Sequence, residues 1–177
     1  IKLKNNKKKK IGILGGSFDP AHKGHIKISV EAKKKFKIDK IIWAVTKKNP
    51  FKPKSFFNLK KRITFAKKIT KKYSFILVKN YEDKIKSNKT INLINFIKKK
   101  NNRSEIFFLM GADNLITFHK WHNWKNISLK CIILVFDRTN FKLKSLKSVA
   151  FKKINKKRLK FIKFKKVNIS SSKLRKI

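Results

Sequence analysis

Short runs of apolar residues alternate with lysine-rich stretches along almost the whole chain. Apolar runs of this length are typical of strands that are buried on both faces of a parallel sheet. We predict six such strands: IGILGG (11–16), KIIWAV (40–45), YSFILV (73–78), EIFFLMG (105–111), CIILVF (131–136) and LKFIKF (159–164).

The segments between these runs place apolar residues at helical spacing. Three of them, residues 22–36, 58–71 and 88–100, are predicted as helices, the last with an Asn or Ser side chain as its N-terminal cap. ISSSKLRKI (169–177) is predicted to begin a terminal helix. Strands alternating with helices indicate an α/β protein with a single doubly wound parallel sheet, in which ligands bind beyond the carboxyl ends of the strands.

The chain shows no internal repeat and no linker, so we expect one domain over residues 1–177 with a basic lead at 1–10. Its longest apolar run, CIILVF, is far shorter than the roughly 20 residues of a membrane span, and no signal peptide is recognised. Cys131 stands alone, which excludes an intramolecular disulfide. These features predict a cytoplasmic protein that does not associate with membranes.

The net charge of +43 admits two interpretations. A strongly positive field attracts polyanions, which favours a nucleic-acid partner. However, only five of the 51 basic residues are arginine, and the lysines are spread over every segment. Since nucleic-acid readout favours the planar fork of arginine, we interpret the charge as mostly compositional and expect no specific nucleic acid. Non-enzymatic nucleic-acid binding stays the alternative from a different functional class.

The stretch GILGGSFDPAHKGHIKIS (12–29) carries the first candidate chemistry. Gly15 and Gly16 let a backbone turn tightly and approach a phosphate. His22 and His25 share one face of the first turn of a helix, and Gly24 between them leaves room for a ligand. Helix-start N–H groups and two imidazoles suit a triphosphate, and the alternative is a capped helix with surface histidines.

Two more polar clusters follow later strands. In SSSKLR, the serines either cap a helix or bind phosphate oxygens, and Arg175 offers a bidentate fork. In FHKWHNW, a metal site built with His119 and His122 lacks the carboxylate pattern that would complete it. Trp121 and Trp124 stand at helical spacing, so each either packs in the core or stacks on a heterocycle.

Four segments occur in a fixed order: GGSFDPAHKGH (15–25), NPFKP (49–53), MGADNLITFHKWHNWKNI (110–127) and ISSSKLR (169–175). Together they resemble the nucleotidyltransferase superfamily with HxGH and ISSTxxR motifs, and most closely the bacterial nicotinate-nucleotide adenylyltransferases. The resemblance implies a Rossmann-like fold and the reaction of ATP with nicotinate mononucleotide, which gives nicotinate adenine dinucleotide and pyrophosphate in NAD synthesis. The attack on the α-phosphorus would be direct and in line, and Mg²⁺ would be held mainly through the ATP phosphates.

The resemblance also implies roles for residues on the ATP side. His22 and His25 would contact the ATP phosphates and stabilise the transition state. The β- and γ-phosphates and the leaving pyrophosphate would be held by Ser171, Ser172 and Arg175. Gly15, Gly16 and Ser17 would line the phosphate and mononucleotide cleft. Gly111 and Asp113 would contact the adenosine ribose.

On the acceptor side, the resemblance implies that Trp121 stacks on the nicotinate ring and that Thr90 helps to position its carboxylate. Lys52 would bind the mononucleotide phosphate. Two departures stand out: Ser17 replaces a common Thr, and KSNKTINL (86–93) lacks the Tyr-Thr pair that usually precedes the equivalent of Thr90. Family members also continue beyond LRKI, so we expect the terminal helix to be clipped.

Sister enzymes of the same fold remain alternatives. Phosphopantetheine adenylyltransferases have TxGH where this chain has HKGH (22–25), and the tryptophan segment has no obvious role in them. Nicotinamide mononucleotide differs from the acid by one group, so the sequence leaves that choice open. It also leaves open the oligomeric state, a homo-oligomer included.

Overall fold

The first predicted strand lies in the middle of the sheet. The computed structural model describes residues 8–49, 54–137, 141–163 and 171–174. Within these ranges the strands are β1 (Lys10–Gly16), β2 (Lys40–Val45), β3 (Ile76–Lys79), β4 (Glu105–Gly111), β5 (Ile132–Phe136) and β6 (Leu159–Ile162). They form one sheet in the order β3-β2-β1-β4-β5-β6, and every neighbouring pair is parallel. This is the Rossmann strand order, which confirms the predicted fold class.

Helices cover both faces of this sheet. Their bounds in the described ranges are α1 (Lys23–Phe36), α2 (Leu59–Thr70), α3 (Glu82–Ile85), α4 (Thr90–Lys100), α5 (Ala112–Thr117), a 3₁₀ turn (Phe118–Lys120), α6 (Trp124–Lys130), α7 (Lys142–Leu146), α8 (Val149–Lys153) and α9 (Ser171–Leu174). Apolar residues of α1 and α2 pack on one face, and those of α4, α5, α6 and α8 pack on the other. No helix in the described ranges has the length and apolarity needed to cross a bilayer.

The predicted bounds are wrong at a few element ends. β3 begins at Ile76, because residues 73–75 form a turn that is closed by the Ile76 N–H donating to the Tyr73 carbonyl at 2.9 Å. β5 begins at Ile132, one residue late, and β6 ends at Ile162. The helices α3 and α5 to α8 were not predicted, because with seven residues or fewer they show too little periodicity.

The predicted cap of α4 is also wrong. The capping residue is Lys89, whose side chain makes no cap hydrogen bond. Ser87, three residues before the helix starts, instead accepts from the Lys89 N–H at 3.1 Å and from the Asn92 amide at 2.9 Å. The serine therefore shapes the entry to α4 without occupying its capping position.

The strand order reverses at β1, and this positions the site. The connection that follows β1 leads to β2 on one side, while β4 pairs with β1 on the other side. A crevice therefore opens between the loops at the carboxyl ends of β1 and β4. Gly15 at this end of β1 is exposed, whereas residues 11–14 are buried.

Cys131 lies away from this edge, just before β5. It is buried, and its thiol donates to the Ile127 carbonyl at 3.1 Å. Burial raises the pKa of the Cys131 thiol to about 12, so the reactive thiolate is suppressed at neutral pH. The cysteine therefore has a packing role.

Gly12 and Gly15 allow a matched test of packing in the central strand. A Cβ on Gly12 would lie 3.0 Å from Ile41 Cγ1 and 3.3 Å from Leu109 Cδ1, whereas one on Gly15 would meet only Phe108, at 3.9 Å. Both alanine variants restrict the unfolded chain equally, so their difference isolates packing. We expect Gly12→Ala to be less stable than Gly15→Ala by about 1–3 kcal/mol in urea unfolding. Equal unfolding free energies would contradict the tight packing described for Gly12.

Candidate active site

A cleft of about 370 Å³ opens at the carboxyl ends of β1 and β2 and is closed on its other side by residues of β4 and of the segment that follows β4. Gly15 and Gly16 line it from β1, and Thr46 lines it from the segment after β2. Thr90 at the start of α4 and Trp121 after the 3₁₀ turn line it from the other elements. Four of the sequence-predicted site residues thus meet in one cavity, although more than 100 residues separate the first from the last.

Gly15 faces this cleft, and the space next to its Cα on the cleft side is open. A side chain at Gly15 would meet only the Phe108 ring, at 3.9 Å, so packing within the protein does not require glycine there. The absence of a side chain instead leaves the backbone accessible to a ligand. This arrangement supports the prediction of close approach at the end of β1.

Trp121 forms an aromatic wall of the cleft. Its ring meets Phe118 edge-on at 5.2 Å and Phe108 at 6.1 Å between centroids. These contacts fix the indole plane, and the side chain remains only partly buried. Trp124 also packs on Phe118, at 6.1 Å, but does not line the cleft. Of the two roles considered for each tryptophan, Trp124 therefore has the packing role, and Trp121 is placed where it could contact a ligand.

His22 and His25 form a reciprocal cap at the start of α1. The Gly24 N–H donates to His22 Nδ1 at 3.1 Å, and the His22 N–H donates to His25 Nδ1 at 3.1 Å. The two ring centroids are 3.9 Å apart. Because both Nδ1 atoms accept, each neutral ring carries its proton on Nε2, which makes Nε2 the hydrogen-bond donor. The capped-helix and phosphate-cradle interpretations of this pair are therefore compatible.

A buried aromatic stack supports His25 from below. Phe18 lies 4.9 Å from His25 and stacks on Trp43 at 4.9 Å with an interplanar angle of 15°. Trp43 is fully buried and donates to Ser29 Oγ at 2.8 Å, and Ser29 donates to the His25 carbonyl at 3.0 Å. Phe18 has a φ of 47°, a left-handed conformation that is costly for a bulky residue. The contacts of its ring with Trp43 and His25 stabilise this conformation.

The remaining predicted residues lie around the same edge. Gly111 ends β4 and precedes α5, and Asp113 lies in the first turn of α5, where the helix dipole favours a carboxylate. Ser171 Oγ donates to the Pro20 carbonyl at 2.9 Å, which brings α9 beside the segment that leads to His22. Ser17 follows Gly16, and its carbonyl faces α2.

Three predicted groups fall outside what the structure describes. Lys52 and Arg175 lie outside the described residues, and so does the side chain of Ser172. Their predicted roles stay predictions.

His119 and His122 are not part of a metal-binding cluster within the described ranges. There, no three His, Cys, Asp or Glu side chains come together as a metal-binding group. His122 lines the cleft and is exposed, while His119 has a buried Nδ1 with no hydrogen-bond partner among the described residues.

Two cleft residues were missed by the sequence analysis. Tyr81 and Glu82 line the cleft from the segment after β3. Burial raises the pKa of the Tyr81 phenol, which keeps it protonated. Glu82 accepts from the hydroxyl of Thr46 and from the Lys47 N–H at 3.0 Å. The available signal was the polar sequence NYED (80–83), which directly follows a strand at the edge where ligands bind.

Arg62 and Asp19 were missed as well. Asp19 is buried and accepts from the N–H groups of Phe56 and Phe57 at 2.6 and 2.9 Å. Arg62 is 2% exposed and donates to carbonyls of the loops around the cleft. The signal for Arg62 was an arginine in a helix whose other basic residues are all lysine.

Comparisons with known proteins agree with this geometry. A family model described as cytidylyltransferase-like matches residues 13–177. A protein of Pelagibacter ubique named "Probable nicotinate-nucleotide adenylyltransferase" is 64% identical over 173 residues, which cover 98% of this chain and 96% of that protein. A Cereibacter sphaeroides protein of the same name is 34% identical over 140 residues, covering 79% of this chain and 75% of that protein.

A solved structure shows the same fold. The Plasmodium falciparum nicotinic acid mononucleotide adenylyltransferase complexed with NaAD superposes with a TM-score of 0.77. The alignment covers 95% of this chain and 83% of that one, at 23% sequence identity. At that identity the likeness concerns the fold.

The reciprocal cap predicts a difference between two variants of His22. His22→Ala removes the acceptor for the Gly24 N–H and is expected to lower the free energy of unfolding by about 1 kcal/mol. His22→Asn offers a side-chain oxygen as acceptor in place of Nδ1, and asparagine is among the preferred caps, so its stability should remain near that of the wild type. Urea unfolding of both variants measures this, and an equal loss in the two would show that the cap is not stabilising.

Proposed function

This chain belongs to the cytidylyltransferase-like family, in its group of nicotinate-nucleotide adenylyltransferases, and we propose that its substrates meet between the cleft and the histidine pair. The enzyme transfers the adenylyl group of ATP to nicotinate mononucleotide. The products are nicotinate adenine dinucleotide and pyrophosphate, and the reaction belongs to NAD biosynthesis. The observation that carries the assignment of the site is the meeting of Gly15, Gly16, Thr90 and Trp121 in one cleft.

The chemistry needs little from the protein beyond positioning and charge stabilisation. In the proposed mechanism a phosphate oxygen of the mononucleotide attacks the α-phosphorus of ATP in line. The new P–O bond forms as the bond to the bridging oxygen of pyrophosphate breaks, and the leaving group takes that electron pair. No protein nucleophile takes part, so the protein contributes by alignment and by donors aimed at the phosphates.

His22 and His25 are the proposed donors to the ATP phosphates. Their Nδ1 atoms are engaged by the backbone of α1, so Nε2–H is the donor that each neutral ring presents. Such donors stabilise the negative charge that builds up on the phosphoryl oxygens in the transition state. The stack of Phe18 on Trp43 holds the His25 ring in place before substrate arrives.

The other ATP contacts are proposed from position. Gly15, Gly16 and Ser17 would lie along the phosphates, and Gly111 and Asp113 would contact the ribose from the end of β4. Ser171, Ser172 and Arg175 would hold the β- and γ-phosphates and the departing pyrophosphate. The hydrogen bond from Ser171 to the Pro20 carbonyl supports this, because it brings α9 next to the histidine motif.

The acceptor side is proposed to lie in the cleft. The Trp121 ring is fixed by Phe108 and Phe118, and it would stack on the flat nicotinate ring. Thr90 lies at the first turn of α4, an 11-residue helix whose N-terminal end favours an anionic group such as the nicotinate carboxylate. Lys52 is proposed to bind the phosphate of the mononucleotide.

We propose Mg²⁺ as the cofactor, entering with ATP. Mg²⁺ takes oxygen ligands and gives up its water reluctantly, so it is commonly bound through substrate phosphates and water. Bound in this way, the ion would neutralise charge on the triphosphate. A single domain over residues 1–177 and a cytoplasmic location stay predictions of the sequence.

Acceptor choice and the role of the histidines are tested in one assay. Pyrophosphate release from ATP and Mg²⁺ is expected with nicotinate mononucleotide, and not with phosphopantetheine. We expect His22→Asn, which keeps its cap, to lower kcat/KM by about 10²–10³-fold, the usual loss for one transition-state donor. Release with phosphopantetheine alone, or an active His22→Asn enzyme, would overturn the assignment. Nicotinamide mononucleotide, supplied separately, measures acid-versus-amide selectivity.

The two tryptophans form a matched pair for the acceptor site. We expect Trp121→Ala to raise KM for nicotinate mononucleotide roughly tenfold, because stacking of a heterocycle on an aromatic side chain contributes about 1–3 kcal/mol. Trp124→Ala should lower the melting temperature and leave that KM nearly unchanged. If both variants shift KM equally, Trp121 does not bind the acceptor.

A further inference from the structure

Arg62 of α2 is a buried arginine whose hydrogen-bond partners are main-chain carbonyls. Its Nε donates to the Phe57 carbonyl at 3.0 Å. One terminal nitrogen donates to the carbonyls of Ser17 at 2.5 Å and Thr46 at 2.8 Å, and the other donates to that of Lys47 at 3.1 Å. A single side chain therefore joins the loop after β1, the segment after β2 and the entry to α2.

The buried charge is compensated by its surroundings. Burial lowers the pKa of Arg62, while the nearby carboxylates of Asp19 and Glu82 raise it. Within the described residues neither carboxylate forms a direct ion pair with the guanidinium. The carbonyl oxygens solvate the cation, and the two carboxylates balance its charge from a distance.

The segment after β2 is held from its other side by Glu82. The hydroxyl of Thr46 and the N–H of Lys47 donate to this carboxylate, whereas the carbonyls of both residues accept from Arg62. Asn80 adds a bond from its side-chain amide to the Val45 carbonyl at 2.8 Å. Residues 46 and 47 are thus held on both sides, because they donate to Glu82 and their carbonyls accept from Arg62.

The loop before α2 is tied into the same network. The Asp19 carboxylate accepts from the backbone N–H of Phe56 and Phe57, and the Phe57 carbonyl accepts from Arg62. The chain has only eight acidic residues, and two of them, Asp19 and Glu82, lie here with one of its five arginines. Scarce residue types are therefore concentrated around the cleft.

Lysine cannot replace Arg62 in this role. The guanidinium presents five N–H donors in a planar fork, whereas an ammonium is a compact point charge with three donors. Four carbonyls from three separate segments need the wider, planar arrangement. In a chain in which almost every other basic residue is lysine, an arginine at this position has a geometric reason.

We propose that Arg62 is a positioning residue for the acceptor substrate, acting through Thr46 and the segment after β2. This inference rests on the proposed function and adds a determinant of mononucleotide binding to it. Thr46, Asn49 and Glu82 all line the cleft. Loosening the clamp would shift the wall of the cleft relative to β1, whereas His22, Gly111 and Asp113 lie outside its direct contacts.

The test compares Arg62→Lys with Arg103→Lys, the same substitution at an exposed arginine. With each substrate varied at saturating concentration of the other, we expect Arg62→Lys to raise KM for nicotinate mononucleotide roughly tenfold or more, because small misplacements can cost up to about 10²-fold. KM for ATP should change by less than about twofold, and Arg103→Lys should match the wild type. An equal rise in both KM values, or a lower melting temperature with unchanged kinetics, would overturn the proposal.

Hydrogen exchange separates this inference from the proposed function. In Arg62→Lys, amides of residues 46–49 should exchange faster than in the wild type and in Arg103→Lys, with no substrate present. If the wild type releases no pyrophosphate with nicotinate mononucleotide, the proposed function fails while the clamp is still measured by exchange. Unchanged exchange in an otherwise active enzyme would instead reject the clamp alone.

A second variant covers the case in which Arg62→Lys does not fold. Glu82→Gln keeps the size of the side chain and one oxygen acceptor but loses the second, so one of its two bonds to residues 46 and 47 is lost. We expect the same direction of change, a higher KM for the mononucleotide with a nearly constant KM for ATP, and faster exchange at Lys47. An unchanged KM for the mononucleotide and unchanged exchange in Glu82→Gln would overturn the proposal.

Discussion

The parallel pairing of β1 with both β2 and β4 is the constraint on which the rest of the structure depends. It makes β1 the central strand at which the strand order reverses, so the loops after β1 and β4 diverge and leave a crevice. Gly12 allows this pairing to be tight, because the side chains of Ile41 and Leu109 from the neighbouring strands occupy the space that a Cβ on Gly12 would need. Gly15, three residues later, is small for another reason, because it faces the cleft. One strand thus contains a glycine that packing requires and a glycine that leaves the cleft open.

The edge of the sheet is held in shape mainly by backbone groups and a few buried polar side chains. The loops after β1, β2 and β3 have no regular structure to pair their N–H and C=O groups, and unpaired buried groups are costly. Asp19, Arg62 and Glu82 supply these partners, and His22 and His25 do the same at the start of α1. The histidines therefore combine a structural task with the proposed catalytic one, because the cap that engages each Nδ1 also determines which nitrogen donates.

The large positive charge is almost absent from this network. Lysines occupy the exposed positions of the helices, where solvent screens them and where they change little in the core. The site itself uses glycine backbone, imidazoles, a tryptophan and single charged residues in defined geometry. This separation supports the interpretation of the lysine excess as a property of composition, and it explains why the charge by itself was a poor guide to function.

The sequence by itself determined the fold class, the six strands and the motifs around His22, Trp121 and Ser171, because buried parallel strands are continuous apolar runs and because the motifs are local. It missed the short helices, which have too few turns for periodicity, and it misplaced the cap of α4. Only the tertiary structure decided that Trp121 lines the cleft while Trp124 packs in the core, since their spacing is equally compatible with both. The clamp of Arg62 was likewise invisible, because its partners are carbonyls, which every residue carries, brought together from three separate parts of the chain.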